Sequence, residues 1–371
     1  MSKPLTVVEV TPSLGIGGVG THLYRLARGL TDRGHRVVML VQEPGVDAER
    51  ARASGAELVA VPFSMDGAAE ASSLLSSYQP DLIHAHNYRA ARFASGLARR
   101  LRVPYLMSVH GPRPWWKRAL FRHWSETVIA TSESDRDNIS GVFGVDANRI
   151  ALSFLGVDTD RFNPAVERAA FRRDIGVDEE RPLIVHVSRF SHRKARPALA
   201  LIDALPHLRR RVDSATLLLV GDGPELDRIK AKSAELNHRA GSDVVIVTGA
   251  RTDIPDVMAA ADVVVATATT ALEAMAVGVP TIALGRTGYF GPVTPENFDA
   301  ARAVCFADHG RLPRVARRRL VEDLVALVRG VSAARAIADA VGSIVSAEYN
   351  LDKMAVHIED IYRRVLNTPH V

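Results

Sequence analysis

Two cationic residues, Arg189 and Lys194, follow an apolar run at 182–188 that predicts a buried strand. Residues just past the carboxyl end of a parallel strand face the ligand crevice of an α/β sheet. An arginine guanidinium matches the geometry of phosphate oxygens, and a lysine ammonium supplies a compact point charge. The pair therefore indicates a phosphate site, although the same residues would also suit a solvated basic loop.

Two later turns carry residues that suit the same crevice. Gly221-Asp222-Gly223-Pro224 separates a strand from a helix, as in a ligand-binding turn or an ordinary tight turn. A helix predicted to begin near Thr270 would aim its first backbone amides at an anion. Glu273 could accept hydrogen bonds from two ribose hydroxyls, or it could complete a capping box with Thr270.

A glycine-rich loop near the N-terminus has two possible roles. Residues 15–20 match G-x-G-x-x-G after a predicted strand, with Glu43 in place to contact a ribose, as in dinucleotide-binding enzymes. Four residues separate that strand from Gly15, which disfavours the fingerprint. A plain turn and a loop that faces an anion or an acceptor are the alternatives, so an NAD(P)-dependent oxidoreductase remains a rival function.

Two other regions contain residue types that can bind a metal ion or a membrane. His84-x-His86 has the spacing of a metal pair, but no third ligand is apparent and strand alternation explains the spacing, so no metal site is predicted. Residues 82–125 contain no acidic side chain and include all three tryptophans of the chain. The basic, aromatic segment 89–124 predicts either peripheral contact with an anionic membrane or a solvated face with tryptophans in the core.

The elements that must position these residues alternate between short strands and helices along both halves of the 371-residue chain. This alternation predicts two parallel-sheet, Rossmann-like α/β domains. The expected boundaries are 1–175 for the first domain and 176–350 for the second. An amphipathic terminal helix is expected within 351–371, with an apolar face that must be buried.

Composition excludes several classes of protein. The net charge is +5, and 47% of the residues are hydrophobic, which excludes a disordered or fibrous chain. The single cysteine, Cys305, excludes a disulfide framework and fits a reducing compartment. Neither a signal peptide nor a membrane-spanning run is apparent, and no nucleic-acid-binding module is recognisable. A cytoplasmic protein is expected, with 89–124 as its contact to the inner membrane face.

An ordered set of motifs resembles the retaining glycosyltransferases of family 4, over essentially the whole chain. The motifs are GGVG (17–20), SVHG (108–111), VIATSES (128–134), LGVDTDRF (155–162), SRFSHRK (188–194), LVGDGPE (219–225), VTGARTDI (247–254) and ALEAMAVGVPTIA (271–283). The resemblance implies the GT-B fold, in which two Rossmann-like domains face each other across a cleft. It also implies a UDP- or GDP-linked sugar donor on the second domain, a hydroxyl acceptor on the first, and no required cofactor or metal.

The same resemblance assigns roles to individual residues. Arg189 and Lys194 correspond to the pair that holds the donor diphosphate, and His110 to the histidine beside the reacting sugar. Glu273 corresponds to the ribose-binding glutamate, and Arg251 lies in the loop that receives the nucleobase. The remaining assignments are donor contacts at Gly223, Thr270, Ala271 and Leu272, and acceptor-side contacts at Gly17 and Gly18.

The chain departs from the family pattern at the first glutamate of the Glu-x7-Glu motif, which is replaced by Val265. Sugar recognition is therefore expected to have moved to Thr269, to Thr270 or to residues 288–291. The predicted function is transfer of a sugar to a glycolipid, a polysaccharide intermediate or a small metabolite, with retention of configuration. A relative that binds sugar nucleotides without catalysis is the second alternative.

Overall fold

The computed structural model describes residues 3–15, 17–121 and 123–368, and the chain divides into two compact units. The first unit contains the described residues up to Gly156 and from Tyr349 onward, and the second is Val157–Glu348. The predicted boundaries, at 175 and 350, therefore differ from those of the structure. The difference arises because Arg168 and Arg172 bind the carboxylate of Asp262, at 2.7 and 3.5 Å, inside the second unit.

The first unit is a seven-stranded parallel sheet with strand order β3-β2-β1-β4-β5-β6-β7. Its strands are β1 (Thr6–Ser13), β2 (Arg36–Glu43), β3 (Glu57–Ala60), β4 (Leu82–Ala85), β5 (Tyr105–Val109), β6 (Val128–Ala130) and β7 (Ile150–Leu152). Its helices up to that point are α1 (Gly18–Asp32), α2 (Ala48–Ala53), α3 (Met65–Ser76), α4 (Tyr88–Leu101) and α5 (Glu133–Phe143). Short 3₁₀ turns lie at Trp115–Leu120 and Ala147–Arg149.

The second unit is a six-stranded sheet with strand order β10-β9-β8-β11-β12-β13, parallel except for its last strand. Its strands are β8 (Leu183–Val187), β9 (Thr216–Val220), β10 (Val245–Gly249), β11 (Val263–Ala266), β12 (Thr281–Gly285) and β13 (Gly288–Pro292). Its helices are α6 (Arg168–Asp174), α7 (Arg196–Arg209), α8 (Leu226–Ala240), α9 (Ile254–Ala259), α10 (Ala268–Ala276), α11 (Phe298–Ala303), α12 (Arg317–Arg329) and α13 (Val331–Glu348). A 3₁₀ turn lies at Pro295–Asn297.

The chain ends in α14 (Leu351–Asn367), which belongs to the first unit and packs against α1. Met354, Ile358 and Tyr362 bury the apolar face of α14 in the core that α1 shares with β1 and β4. Arg33 fixes the same helix by a 2.8 Å ion pair with the nearly buried carboxylate of Glu359. The amphipathic pattern of this segment therefore serves packing within one unit.

Two sheets with helices on both faces confirm the predicted pair of parallel α/β domains. The apolar strand runs are buried from both sides, because crossover helices cover both faces of a parallel sheet. Sequence analysis missed β3, an edge strand of the first sheet, and β13, the antiparallel edge strand of the second. Within the described ranges, no helix has the length and apolarity needed to cross a bilayer.

The contact between α1 and α14 depends on Gly29. A Cβ atom at this position would lie 2.8 Å from the Cβ of Ala355, closer than such atoms normally approach. We predict that Gly29→Ala lowers the free energy of unfolding by about 1–2 kcal/mol, because overpacking outweighs the helix-propensity gain of alanine.

Gly141→Ala in α5 is the matched control, since nothing lies within 4 Å of the added methyl group. It is expected to raise the free energy of unfolding by up to about 1 kcal/mol. Chemical denaturation of both variants measures the two changes. Stabilisation by Gly29→Ala would contradict the close packing of α14 on α1.

Candidate functional site

Four loops at one edge of the second sheet carry the predicted donor residues. They follow the carboxyl ends of β10, β9, β8 and β11, which are neighbours in the sheet. Arg189 and Lys194 follow β8, Gly223 follows β9, and Arg251 follows β10. Because the strands are parallel, these loops all open toward the same side of the unit.

The loops after β8 and β9 form one hydrogen-bonded structure. The Phe190 amide donates to the Asp222 carbonyl at 2.8 Å, and the Glu225 amide donates to the Phe190 carbonyl at 2.9 Å. A Cβ at Gly221 would overlap the carbonyl oxygen of Ser188, so only glycine permits this contact. The Arg189 side chain is exposed on this rigid base, and Lys194 is half-buried.

The helix that follows β11 begins earlier than predicted. Helix α10 starts at Ala268 with Thr267 as its N-cap residue, so the expected capping box between Thr270 and Glu273 is wrong. The Thr267 hydroxyl instead donates to the Phe306 carbonyl at 2.7 Å. Because the Ala271 amide already donates to the Thr267 carbonyl, the first-turn amides are those of Ala268, Thr269 and Thr270.

Glu273 lies inside α10 and is almost completely buried, as are Ala271 and Leu272. Val265 stands where the family pattern has its first glutamate. It is buried within β11, and its carbonyl accepts a 2.6 Å hydrogen bond from His186 Nδ1. Burial lowers the pKa of His186 to about 4. Position 265 is thus part of the core of the second unit.

Two other positions are committed to contacts within the protein. The Arg251 guanidinium donates to both carboxylate oxygens of Asp253, at 2.8 and 2.6 Å, and lies 4.9 Å above the ring of Phe171. The hydrogen bonds that Arg251 donates to Asp253 raise the pKa of Arg251. The segment 288–291 lies in edge strand β13, where Tyr289 is buried. The Tyr289 hydroxyl donates a 2.6 Å hydrogen bond to the Asp323 carboxylate and so is engaged within the protein.

The first unit presents a group of histidines at the carboxyl edge of its sheet. Gly17 is the N-cap residue of α1 and Gly18 its first residue, after the loop that follows β1, and His110 directly follows β5. His110 Nε2 lies 3.3 Å from His86 Nδ1, and the rings of His110 and His22 are 5.0 Å apart. The sequence-predicted residues of this unit therefore all follow strands at the same edge of the sheet, and Ile16 of the glycine loop lies outside the described residues.

Behind His110 is a fully buried polar network centred on Glu9 of β1. One oxygen of the Glu9 carboxylate lies 2.5 Å from His86 Nε2, and the other accepts a 2.8 Å hydrogen bond from the Tyr362 hydroxyl. His84 completes the network, with its ring nitrogens 2.7 Å from the Tyr362 oxygen and 2.7 Å from the Ser108 hydroxyl. The network joins β1, β4, β5 and α14.

The protonation states in this network follow from burial and from the donors. Burial alone would raise the pKa of Glu9, but the charges and hydrogen bonds of His84 and His86 outweigh burial and lower it. Burial, with the nearby His84, lowers the pKa of His86 to about 4. Burial likewise lowers the pKa of His22 to about 3. At neutral pH the carboxylate is therefore ionised, and His86 and His22 are uncharged.

Sequence analysis found no third partner for His84-x-His86, and the structure corrects this. Glu9 lies within 4.8 Å of both rings, measured between possible ligand atoms, and His22 and His110 stand in the same relation to His86. The signal was present in the sequence, because Glu9, His84-x-His86 and Ser108-x-His110 occupy alternate positions near the ends of three neighbouring strands. Both ring nitrogens of His84 and of His86 are hydrogen-bonded within the network.

The basic, aromatic segment contains both exposed and packed tryptophans. Trp115 and Trp116 are 74% and 65% exposed, whereas Trp124 packs against the core. A groove of about 650 Å³ lies between α3 and α4, and Phe63 and Phe93 stack in its wall at 4.3 Å. Four arginines line it: Arg89, Arg92, Arg99 and Arg100. Arg122 of this segment lies outside the described residues.

Three buried neutral histidines predict how stability depends on pH. The unfolded chain binds protons at about pH 6.5, whereas folded His86 and His186 do so only near pH 4 and His22 near pH 3. The contribution of these histidines to the free energy of unfolding should therefore be constant above about pH 7 and fall as the pH drops from 6.5 toward 4. Urea denaturation across this range measures the slope.

His186→Asn, which keeps a donor for the Val265 carbonyl, should flatten that slope by at most about 1.4 kcal/mol per pH unit. The matched control is His238→Gln, a change at an exposed histidine of α8, which should leave the slope unchanged. Equal slopes in wild type and His186→Asn would contradict the neutral burial of His186.

Comparison with known proteins identifies the family. Residues 16–161 match the family described as Glycosyltransferase Family 4, and residues 181–297 match Glycosyl transferases group 1. A GDP-mannose-dependent alpha-(1-6)-phosphatidylinositol monomannoside mannosyltransferase of Mycobacterium tuberculosis is 30% identical, over 98% of this chain and 98% of the relative. This similarity extends over nearly the full length of both proteins.

Two solved structures share the fold. A glycosyltransferase from Rickettsia africae ESF-5 superposes with a TM-score of 0.81 at 18% identity, over 99% of this chain and 100% of the other. Anabaena Alr3699/HepE in complex with UDP and glucose superposes with a TM-score of 0.78 at 21% identity, over 97% and 99%. These similarities confirm the predicted GT-B fold. Together with the family matches and the mycobacterial relative, they establish that the chain belongs to glycosyltransferase family 4.

Proposed function

We propose that this chain transfers a hexose from a nucleoside-diphosphate sugar to a hydroxyl acceptor, with retention of anomeric configuration. The observation that carries the proposal is the edge of the second sheet, where Arg189, Lys194 and the start of α10 follow the adjacent strands β8 and β11. Within the described part of the chain, no carboxylate pairs with the Lys194 ammonium, so its charge is available to an anionic ligand.

Such an edge suits the departure of a nucleoside diphosphate. As the bond between the sugar C1 and the diphosphate oxygen breaks, negative charge grows on the leaving group. Arg189, Lys194 and the amides of Thr269 and Thr270 would stabilise that charge, because fixed donors need little reorganisation as the charge develops. The acceptor hydroxyl bonds to C1 on the face that the diphosphate leaves, and its proton passes to the departing phosphate oxygen.

The remaining donor contacts are proposed at the same edge. Gly223 would allow the backbone to approach the diphosphate, and Glu273 would accept hydrogen bonds from the ribose. Arg251, braced by Asp253, would lie beside the nucleobase. Ala271 and Leu272 would act through the position of α10, since their side chains are buried.

A guanine base and mannose are the first choice for the donor. The mycobacterial relative, which this chain matches over nearly its full length, is named for GDP-mannose, whereas the Anabaena structure contains UDP and glucose at lower identity. UDP-glucose is therefore the second donor to test.

On the acceptor side, we propose that His110 positions the reacting sugar or hydroxyl, with Gly17 and Gly18 beside the acceptor. A glycolipid acceptor fits best, because the same relative is named for a phosphatidylinositol mannoside. Peripheral binding to an anionic membrane through 89–124 would bring such an acceptor to the enzyme. The exposed Trp115 and Trp116 and the arginine-lined groove of α4 support this contact.

One observation favours an alternative function. The buried Val265 offers no carboxylate where the family pattern has its first glutamate, as in a protein that binds sugar nucleotides without turnover. Binding of a sugar nucleotide with no transfer to any acceptor would support that alternative. An NAD(P)-dependent oxidoreductase is disfavoured by the family membership of the chain.

Arg189→Ala tests the donor site. Hydrogen bonds to charged groups contribute about 1.5–3 kcal/mol, so we expect GDP to bind about 10- to 150-fold more weakly to this variant. Isothermal titration of the full-length protein with GDP and UDP measures the loss. Arg193→Ala, at an exposed arginine of the same loop, is the control and should bind as the wild type does. Equal weakening in both variants would contradict a specific role for Arg189.

Sedimentation with phosphatidylglycerol vesicles tests the membrane contact. The double variant Trp115→Ala/Trp116→Ala should bind about tenfold more weakly, a loss of about 1.4 kcal/mol, because two exposed indoles no longer enter the interface. Val331→Ala, at an exposed apolar residue of the second unit, is the control and should bind as the wild type does. Unchanged binding by the tryptophan variant would exclude this surface as the contact.

A further inference from the structure

A continuous line of hydrogen bonds leads from the terminal helix to the histidine beside the proposed acceptor site. The Tyr362 hydroxyl on α14 donates to Glu9 at 2.8 Å, and Glu9 lies 2.5 Å from His86 Nε2. His86 Nδ1 in turn lies 3.3 Å from His110 Nε2. The residues span the first strand and the last helix of the described chain, yet they form a single chain of contacts.

The direction of each hydrogen bond in this line follows from the ionised carboxylate. A carboxylate only accepts, so His86 must carry its proton on Nε2 and donate it to Glu9. Neutral His86 then has its lone pair on Nδ1, which can only accept. His110 must therefore donate from Nε2 to His86.

We infer that Glu9, His86 and Tyr362 are positioning residues that fix the tautomer and ring orientation of His110 for sugar transfer. The inference rests on the proposed function, in which His110 contacts the reacting sugar or hydroxyl. Glu9 and Tyr362 act only through His86 and do not touch substrate. With Nε2 committed to His86, the His110 ring is held in one orientation at the carboxyl edge of the sheet.

The position of the network supports a functional role. Residues earlier on the same strand faces, such as Val7 of β1, Leu82 of β4 and Leu106 of β5, are fully buried in an apolar core. A carboxylate and two histidines replace apolar side chains only toward the carboxyl ends of these strands. Burying a carboxylate carries a large desolvation penalty, and apolar residues of similar volume often stabilise a core as well or better.

Ser108 provides a comparison within the same network. Its hydroxyl lies 2.7 Å from His84 Nε2, on the side of His84 that faces away from Glu9. Ser108 is as deeply buried as the positioning residues, but it is not in the line from Glu9 to His110. If the network were purely structural, substitutions at Ser108 and at Tyr362 would change kcat equally. If the line positions His110, kcat responds to substitution of Tyr362 and not of Ser108.

Steady-state kinetics of the full-length enzyme provide the first test. We expect Glu9→Gln to lower kcat about 10- to 100-fold, by analogy with the loss when a partner that orients a metal-binding histidine is removed, with KM for the sugar nucleotide changed less than about twofold. Tyr362→Phe, which removes one hydroxyl and preserves volume, should lower kcat by a smaller factor. Ser108→Ala should retain wild-type kcat. An equal loss in Ser108→Ala and Tyr362→Phe, or an unchanged kcat in folded Glu9→Gln, would overturn the inference.

Ring-nitrogen NMR of histidine-labelled protein provides a readout that does not depend on transfer. The signals of His86 and His110, assigned with His86→Gln and His110→Gln, should each show a single Nε2–H tautomer in wild type. Tyr362→Phe, the gentler change if Glu9→Gln does not fold, should broaden or shift the His110 signals while Ser108→Ala leaves them in place. Tautomer exchange at His110 in wild type would overturn the inference, as would a stoichiometric metal ion on these rings.

The two tests separate this inference from the function on which it rests. If sugar nucleotides bind and no sugar is transferred, the proposed function fails and the kinetic role of the line fails with it. A fixed tautomer in the NMR experiment would then mark the line as structural. If transfer occurs and the variants behave like wild type, only the positioning role fails.

Discussion

In both units the chemistry depends on one constraint, which is that parallel strands bring their carboxyl ends to the same edge of a sheet. Residues far apart in the sequence, such as Arg189 and Arg251, follow adjacent or nearby strands and so open toward one side. The same rule places Gly17 and His110 at the same edge of the first sheet. The constraint also requires helices on both sheet faces, which explains why the strands are rich in buried apolar residues.

The first unit adds a second organising interaction, the buried carboxylate of Glu9. Its charge is compensated by donors from β4 and α14, so the last helix is tied to the first strand by a polar contact as well as by apolar packing. The close approach of α14 to α1 at Gly29 belongs to the same arrangement. The terminal helix is thus a structural part of the unit that holds His110.

Much of this architecture could be predicted from the sequence, because apolar strand runs and helical periodicity are local signals. The edge strands β3 and β13 were missed, since each is short and flanked by loops without a clear pattern. The start of α10 was expected near Thr270, but β11 ends at Ala266 and the helix begins at Ala268 with Thr267 as its N-cap, so no loop separates strand from helix.

The Glu9 network was missed for a different reason. Its members lie on β1, β4, β5 and α14, and their contacts depend on strand order and register, which a local pattern does not specify. Alternation showed that His84 and His86 share a face, but the residue opposite them, Glu9, becomes apparent only when β1 is known to pair with β4. The contact of Glu9 with the two histidines therefore follows from the pairing of β1 with β4, which a local sequence pattern does not specify.

The central claim is that the second unit holds a sugar nucleotide whose sugar is transferred with retention. The most direct measurement is proton NMR of the reaction between an α-linked nucleoside-diphosphate sugar and a glycolipid acceptor, in the presence of the full-length protein. The account predicts a new α-anomeric signal that grows in step with released nucleoside diphosphate. A β-linked product, or a donor that binds and remains intact, would contradict it.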